Sequence, residues 1–481
     1  MITPDIVNDQ FVKTKIIATV GPASQDITVL TRLIHSGVNI IRLNFSHGTH
    51  QYHQQVINTV REINHAKKTP HVCLLQDLQG PKIRIGELAS PIRLETGQEL
   101  VITPHTMIGT AHKVSSTYAY LTRDIAIGKK LLIDDGKITI EAVRKEGDEL
   151  VTKVVHGGIL HPNKGINLPT TSLSSLSLTQ KDKKDLDFGL KNDVEWVALS
   201  FVRAAQDIID LKQYIQQSGK VTKVIAKIEK PEALENIDAI IAATDAIMVA
   251  RGDLGIEIAM ERVPMVQKDI VEKCNQAGKP VIIATQIMES MIVNPLPTRA
   301  EVNDIANAVI DGADALMLSG ETAVGKYPYE VITRMKKSIL SVENTAKIYG
   351  KYPKIFSDSP IFYHESIVQA ACRLSKEINA KAIVCMTKSG WAAFEVAKHR
   401  PEANIFVVVD NSHLLNTINL IWGVRGIHYS GMKSTDDTFL DIMQILVKEK
   451  HLKKGDVFIS TASMPIKEKH RTNMLKINVV P

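Results

Sequence analysis

The sequence predicts an α/β protein: a closed (β/α)8 TIM barrel, interrupted by an inserted β-barrel lid domain and followed by a C-terminal open-sheet α/β domain. Three observations carry this. Short apolar runs rich in Val, Ile and Leu alternate with amphipathic helical stretches, as expected where parallel strands are buried on both faces. Eight such runs precede residue 345, the number a closed barrel requires. One connection, after the third run, loses helical periodicity and gains Gly, Thr and short alternating stretches.

The runs are KIIATV (15–20), NIIRLN (39–44), VCLLQD (72–77), EWVALS (195–200), VIAKIE (224–229), AIMVAR (246–251), VIIATQ (281–286) and ALMLSG (315–320). Within the odd connection, KLLIDDGKITIEAV reads as two strands joined at the DDG of 134–136. Removing 81–172 leaves 13–80 and 173–345, close to the ~250 residues of a typical barrel. Residues 1–12 form an N-terminal segment. After 345, YGKYPKIFSDSP has linker composition, and strands and helices alternate again through AIVCMT, IFVVV, VFIST and LKINVV, which makes 346–481 a separate domain.

The totals narrow the function. With 58 Lys and Arg against 52 Asp and Glu, the net charge of +6 favours small anions, and no basic tract is long enough to track nucleic acid. The four cysteines lie far apart without CxxC spacing, which argues against a disulfide framework or a zinc site and for reduced core residues. No apolar run reaches the ~18 residues of a membrane span, and MITPDIVNDQ lacks a signal pattern. A soluble cytoplasmic protein is expected.

In such a barrel the chemistry sits at the C-terminal strand ends. Polar residues gather there: Arg42, Asn44, Asp77, Ser200, Lys227, Glu229, Asp253, Thr285, Ser319 and Glu321. Lys227 and Glu229 are two apart on one strand, so both point into the barrel mouth. A buried ion pair is the structural alternative. Asp253 of ARGDLG follows the next strand, and two carboxylates from adjacent strands can hold Mg²⁺ while leaving positions for substrate and water. Gly252 leaves backbone N–H groups open to a carboxylate or phosphate, although such a turn is often only a helix cap. Arg42 offers a planar guanidinium to a phosphate. Thr285, Ser319 and Glu321 are suited to carrying protons or ordering water, with capping as the alternative. The methionines of IMESMI are packing residues.

The stretches TKIIATVGPAS, IIRLNFSHG, VIAKIEKPEAL, VARGDLG, IIATQIMESM, NPLPTRAEVNDIANAVIDGADA and LMLSGETAVGKYP closely resemble the pyruvate kinase family, in order and over essentially the whole chain. The resemblance implies glycolytic transfer of the phosphoryl group of phosphoenolpyruvate to ADP, giving pyruvate and ATP. By position it implies that Lys227 neutralises the transferring group and that Glu229 and Asp253 hold Mg²⁺ or Mn²⁺. Arg42, Gly252 and Thr285 match substrate-binding positions, with Thr285, Ser319 and Glu321 near the proton route. His47, Arg84 and Lys164 match nucleotide-side positions, the last inside the insert, whose closure would exclude water. A homotetramer follows from the resemblance alone.

Two departures qualify it. Most familiar members hold K⁺ near the substrate phosphate, and Asn44, Ser46, Asp77 and the Leu78 carbonyl keep that outline. The K⁺-dependent form reads D-T-K-G-P-E-I-R-T, whereas this chain has Leu78, Gln79, Lys82 and Ile85 at the variable places. It resembles the K⁺-independent branch, in which the Lys82 ammonium supplies the unit charge. In the C-terminal domain, Thr387, Lys388, Ser389 and Gly390 stand at a predicted helix start as a phosphate cradle. The loop SMPIKEKHRTNMLKI lacks the glycines common in members that bind fructose 1,6-bisphosphate, so a sugar monophosphate or AMP is the expected activator. A Schiff-base aldolase using Lys227 is the competing enzyme reading, opposed by Glu229 and Asp253. A catalytically silent sensor is the competing non-enzyme reading.

Overall fold

The computed structural model describes residues 11–66, 71–169, 171, 174, 177–431, 434–464 and 471–481. Eight strands form a closed parallel ring: β1 (Lys15–Thr19), β2 (Ile40–Asn44), β3 (Cys73–Asp77), β4 (Trp196–Leu199), β5 (Lys223–Ile228), β6 (Ala246–Ala250), β7 (Val281–Ala284) and β8 (Ala315–Leu318). They pair in chain order and β8 returns to β1. The unbroken apolar runs follow from two separate burials. Ile17, Ile40, Leu75, Trp196, Ile225, Met248 and Ile282 pack inside the ring. Their neighbours Ile16, Ile41, Leu74, Val197, Val224, Ile247 and Ile283 pack outward, with apolar residues of the surrounding helices.

The helices use ordinary stop and start signals. Arg299–Asp311, after β7, opens with a capping box in which Thr298 and Glu301 exchange side-chain and backbone bonds, and it ends at Gly312 with φ 109°.

Among its described residues the insert has eight strands: Ile92–Leu94, Glu99–Thr103, Lys113–Ser115, Lys130–Ile133, Ile138–Glu146, Glu149–His156, Gly158–Leu160 and Ile166–Asn167. Six of them form one curled sheet whose two edges are Ile166–Asn167 and Lys113–Ser115. The chain leaving the barrel joins these edges, because Arg84 bridges to Gly165 and Ile85 to Ser116. The curl is thereby closed into a barrel by a segment too short to count as a strand. The DDG turn lies where expected, with φ of 52°, 56° and 85° at Asp134, Asp135 and Gly136.

The C-terminal sheet has five strands in the order Val424–His428, Asn404–Val409, Ala382–Met386, Val457–Ala462 and Met474–Val479, the last antiparallel. Val424–His428 is absent from the sequence reading, because Arg425 and Gly426 interrupt its apolar run. This domain plugs the N-terminal end of the barrel. Leu420 joins the inner cluster of the ring, Trp196 Nε1 donates to Thr417 O at 3.0 Å, and Lys15 Nζ donates to Val424 O at 2.6 Å. All four cysteines are buried as free thiols. Among the described residues no helix is long and apolar enough to cross a membrane.

Candidate active site

The inward positions of the ring change character as they climb. Two residues above Ile17, Ile40, Leu75, Ala198 and Ile225 stand Thr19, Arg42, Asp77, Ser200 and Lys227. The period of two that buries the lower layer therefore presents the upper one to the mouth. Arg42 Nε and Nη2 both reach Asp77 Oδ2 at 2.7 Å, and Nη1 donates to Thr19 Oγ1 at 2.9 Å. Lys227 Nζ meets Ser200 Oγ at 2.8 Å, Asp77 Oδ1 at 3.2 Å and Glu229 Oε1 at 2.9 Å. Ser200 Oγ donates in turn to Leu78 O at 2.7 Å. Glu229 Oε2 accepts the Phe201 N–H at 2.7 Å, which holds Phe201 at φ 55°.

The charges reinforce one another. Burial alone would strip the proton from Lys227, but Asp77 and Glu229 more than offset it and hold its pKa above the ordinary value. Asp77 stays ionised, since Lys227 and Arg42 outweigh its burial and lower its pKa. Burial raises the pKa of Glu229, Lys227 opposes this and the nearby Asp253 carboxylate adds to it. Two carboxylates in mutual repulsion suit a cation between them. Asp253 keeps 26% of its side chain exposed, so an ion there would stay within reach of substrate. Among the described residues no group of three or more His, Cys, Asp and Glu could hold a metal alone. The donor set fits an ion that takes its remaining ligands from substrate and water.

Thr285 follows β7 at φ 69°. Its Oγ1 accepts the Gly252 N–H at 2.8 Å and donates to Ala284 O at 2.6 Å. A Cβ at 252 would stand 3.3 Å from that oxygen, so glycine permits the approach. Glu321 is buried, and its two oxygens accept the N–H groups of Ser319 at 2.7 Å and Met288 at 3.2 Å. Burial outweighs these bonds and raises its pKa.

Lys82 Nζ lies 3.7 Å from Asp253 Oδ1. Asn44 Oδ1 accepts the Ser46 N–H at 3.1 Å. His47 sits close enough to Arg84, Arg42 and Lys82 that their charges add to burial in lowering its pKa. Lys164 of the insert pairs with Asp134 at 2.8 Å, and Arg84 Nη1 donates to Asn163 O at 3.0 Å. A cleft of ≈ 520 Å³ runs from Lys82, Gly252 and Asp253 to Asp135 of the insert hairpin. The insert thus overhangs the barrel mouth.

Thr387, Lys388, Ser389 and Gly390 lie far along the chain, at the start of the helix Trp391–Lys398. Thr387 Oγ1 accepts the Gly390 N–H at 3.0 Å, and Ser389 Oγ that of Trp391 at 3.4 Å. Residues 465–470 of the loop read as glycine-poor, and the boundary at 172/173, fall outside the described residues.

Sequence reasoning overlooked Phe201 and Arg251. Arg251 reads as the end of a strand but begins the helix Arg251–Glu257, and nothing in the pattern marks Phe201, whose backbone rather than side chain is used.

A barrel whose mouth gathers a buried cationic lysine, a guanidinium and two carboxylates open to a cation belongs to the enzymes that handle anionic, phosphorylated substrates. Residues 11–332 match the family model described as pyruvate kinase, barrel domain, and 365–478 that of the pyruvate kinase alpha/beta domain. Pyruvate kinase of Geobacillus stearothermophilus is 40% identical over 473 residues, 97% of this chain and 80% of that one. Pyruvate kinase 2 of a Synechocystis strain is 41% identical over 97% of this chain and 79% of its own. The crystal structure of a pyruvate kinase from Cryptosporidium parvum superposes with a TM-score of 0.90 at 34% identity, covering 98% and 96% of the two chains. The chain belongs to the pyruvate kinase family. It is a phosphotransferase that moves the phosphoryl group of phosphoenolpyruvate to ADP.

Proposed function

We propose that Lys227, held charged between Asp77 and Glu229, is the residue against which the transferring phosphoryl group is neutralised. The observation that carries this is its burial together with two carboxylate contacts at 3.2 and 2.9 Å, a geometry that keeps an ammonium where a lone lysine would lose its proton. Arg42, Gly252 and Thr285 bind the substrate. Glu229 and Asp253 hold Mg²⁺, or Mn²⁺ in its place; when bound, that ion supplies the positive charge that stabilises the enolate. Thr285 with Ser319 and Glu321 serves the proton route, for which the raised proton affinity of Glu321 is suited. His47, Arg84 and Lys164 take the nucleotide from the insert side. The working parts are 13–80 with 173–345, the lid 81–172 and the regulatory domain 346–481.

Lys227→Met tests the centre. Turnover in a coupled pyruvate assay is expected to fall by ~10³ or more with the melting temperature nearly unchanged; survival within tenfold would remove the assigned role.

Lys82 stands in for K⁺. Its ammonium, 3.7 Å from Asp253, brings a fixed positive charge to the substrate anions. Full activity is expected without K⁺, and Lys82→Glu should lose activity or acquire K⁺ dependence. Strong K⁺ activation of the unaltered protein would contradict this.

The helix start at Thr387–Gly390 takes a phosphorylated activator, a sugar monophosphate or AMP, in a cytoplasmic homotetramer. Thr387→Ala should abolish activation by whichever phosphorylated metabolite raises the rate, and light scattering reports the assembly.

A further inference from the structure

Thr285 and Gln286 both occupy the left-handed backbone region, at φ 69° and 53°. A β-branched residue there is an outlier, and such a conformation persists only where its surroundings enforce it. The enforcement is visible. Arg251 Nη2 donates to Thr285 O at 2.8 Å and to Gln286 O at 3.3 Å, while Nη1 is anchored on Asp304 at 2.7 Å. The Arg251 side chain is 12% exposed. The residue after it, Gly252, donates its N–H to Thr285 Oγ1 at 2.8 Å. Two consecutive residues of one helix start thus grip Thr285 at both its carbonyl and its hydroxyl. The register explains the reach, because Ala250 and Ala284 are paired across β6 and β7.

We propose that Arg251, anchored by Asp304, is a positioning residue for enolate protonation: it holds the 285–286 turn left-handed and so keeps the Thr285 hydroxyl aimed at the barrel mouth. It touches no reacting atom. The inference rests on the reading of Thr285 given above. The step it serves is simple in its balance: C3 of the enolate gains one proton, which the Thr285 route supplies and solvent replaces. A planar fork suits this, since Nη2 serves the two carbonyls while Nη1, on the other arm, meets Asp304, a span that the single nitrogen of a lysine does not cover.

The test separates phosphoryl transfer from protonation. In D₂O, exchange of the pyruvate methyl protons catalysed by the full-length enzyme with its divalent ion is followed by NMR, alongside the steady-state assay. Arg251→Lys is expected to slow exchange ~10- to 100-fold, with KM for phosphoenolpyruvate within about threefold. Adding Gln286→Gly should restore at least ~threefold of the loss, because glycine adopts φ > 0 without a side-chain clash and no longer needs the clamp. A residue that merely supports the fold would show neither the selective loss nor the recovery. Exchange within twofold of the unaltered enzyme, a loss confined to KM, or no recovery by glycine would overturn the proposal. Should Arg251→Lys not fold by circular dichroism, Asp304→Asn loosens the same guanidinium and enters the same cycle. Thr285→Val separates the layers: if it keeps exchange, the reading of Thr285 falls; if it loses exchange while Arg251→Lys keeps it, only the role of Arg251 falls.

Discussion

The two ends of the barrel each bury a lysine, and they treat it in opposite ways. At the C-terminal end Lys227 lies between Asp77 and Glu229, and its proton is held more tightly than in water. At the N-terminal end Lys15 is 3% exposed and its ammonium has the Val424 carbonyl at 2.6 Å. Burial, with the Arg425 charge adding to it and Glu343 and Cys73 acting against it, lowers its pKa to about 7. The same side chain is a permanent cation at one end and gives up its proton near neutral pH at the other. What differs is that Asp77 and Glu229 contact Lys227 directly, at 3.2 and 2.9 Å, whereas at Lys15 burial outweighs the pull of Glu343.

The widest expected contrast is in rate. Whereas Lys227→Met should lose turnover by ~10³ or more, Lys15→Met should keep kcat within about twofold; a large loss in the second would dissolve the distinction between a working end and a packing end. Next in size is the floor of the barrel, where Arg400 Nη1 meets Asp314 Oδ1 at 2.9 Å with both side chains buried. Arg400→Met leaves that carboxylate without its partner, and a loss of about 3–5 kcal/mol by urea denaturation is expected. Smallest is the pH dependence of Lys15. Its folded pKa of about 7 lies below the ordinary 10.5, so between these values the unfolded chain binds a proton the folded chain has released. Stability from this site therefore rises with pH from about 7 to 10.5, and below 7 the folded protein bears the full penalty of a buried cation. Lys15→Met should stabilise by about 1–3 kcal/mol at pH 6, with the gain fading toward pH 10. A gain that grows with pH would reverse the assignment.

These contrasts also mark how far the sequence could be read. The eight barrel strands are legible because both faces of each are apolar, and the inward direction of Lys227 and Glu229 follows from their spacing of two. The insert was visible as lost periodicity. The β-barrel reading stands, but the segment that closes it is not legible, since residues 83–86 join both sheet edges through backbone bonds that no side-chain pattern records. Backbone use also hides Phe201, whose N–H alone serves Glu229. Asp77 reads from sequence as a strand-end carboxylate of the monovalent-cation outline, but its bonds to Arg42 and Lys227 depend on three strands meeting in one layer. The edge strand Val424–His428 escaped because Arg425 and Gly426 break the run that central strands keep.

Leu420 gives the architecture a consequence of its own. It comes from the C-terminal domain yet completes the lowest layer of the ring interior, beside Ile17, Ile40 and Trp196. The barrel has no bottom without it. A chain cut after 345 would leave that layer open to water, and withdrawing a buried leucine alone costs about 1.5–3 kcal/mol. The C-terminal domain is therefore no detachable module but the base on which the column of inward side chains stands, and Lys227 is near the top of that column. A shift of the base by a fraction of an ångström is transmitted through close-packed side chains rather than absorbed.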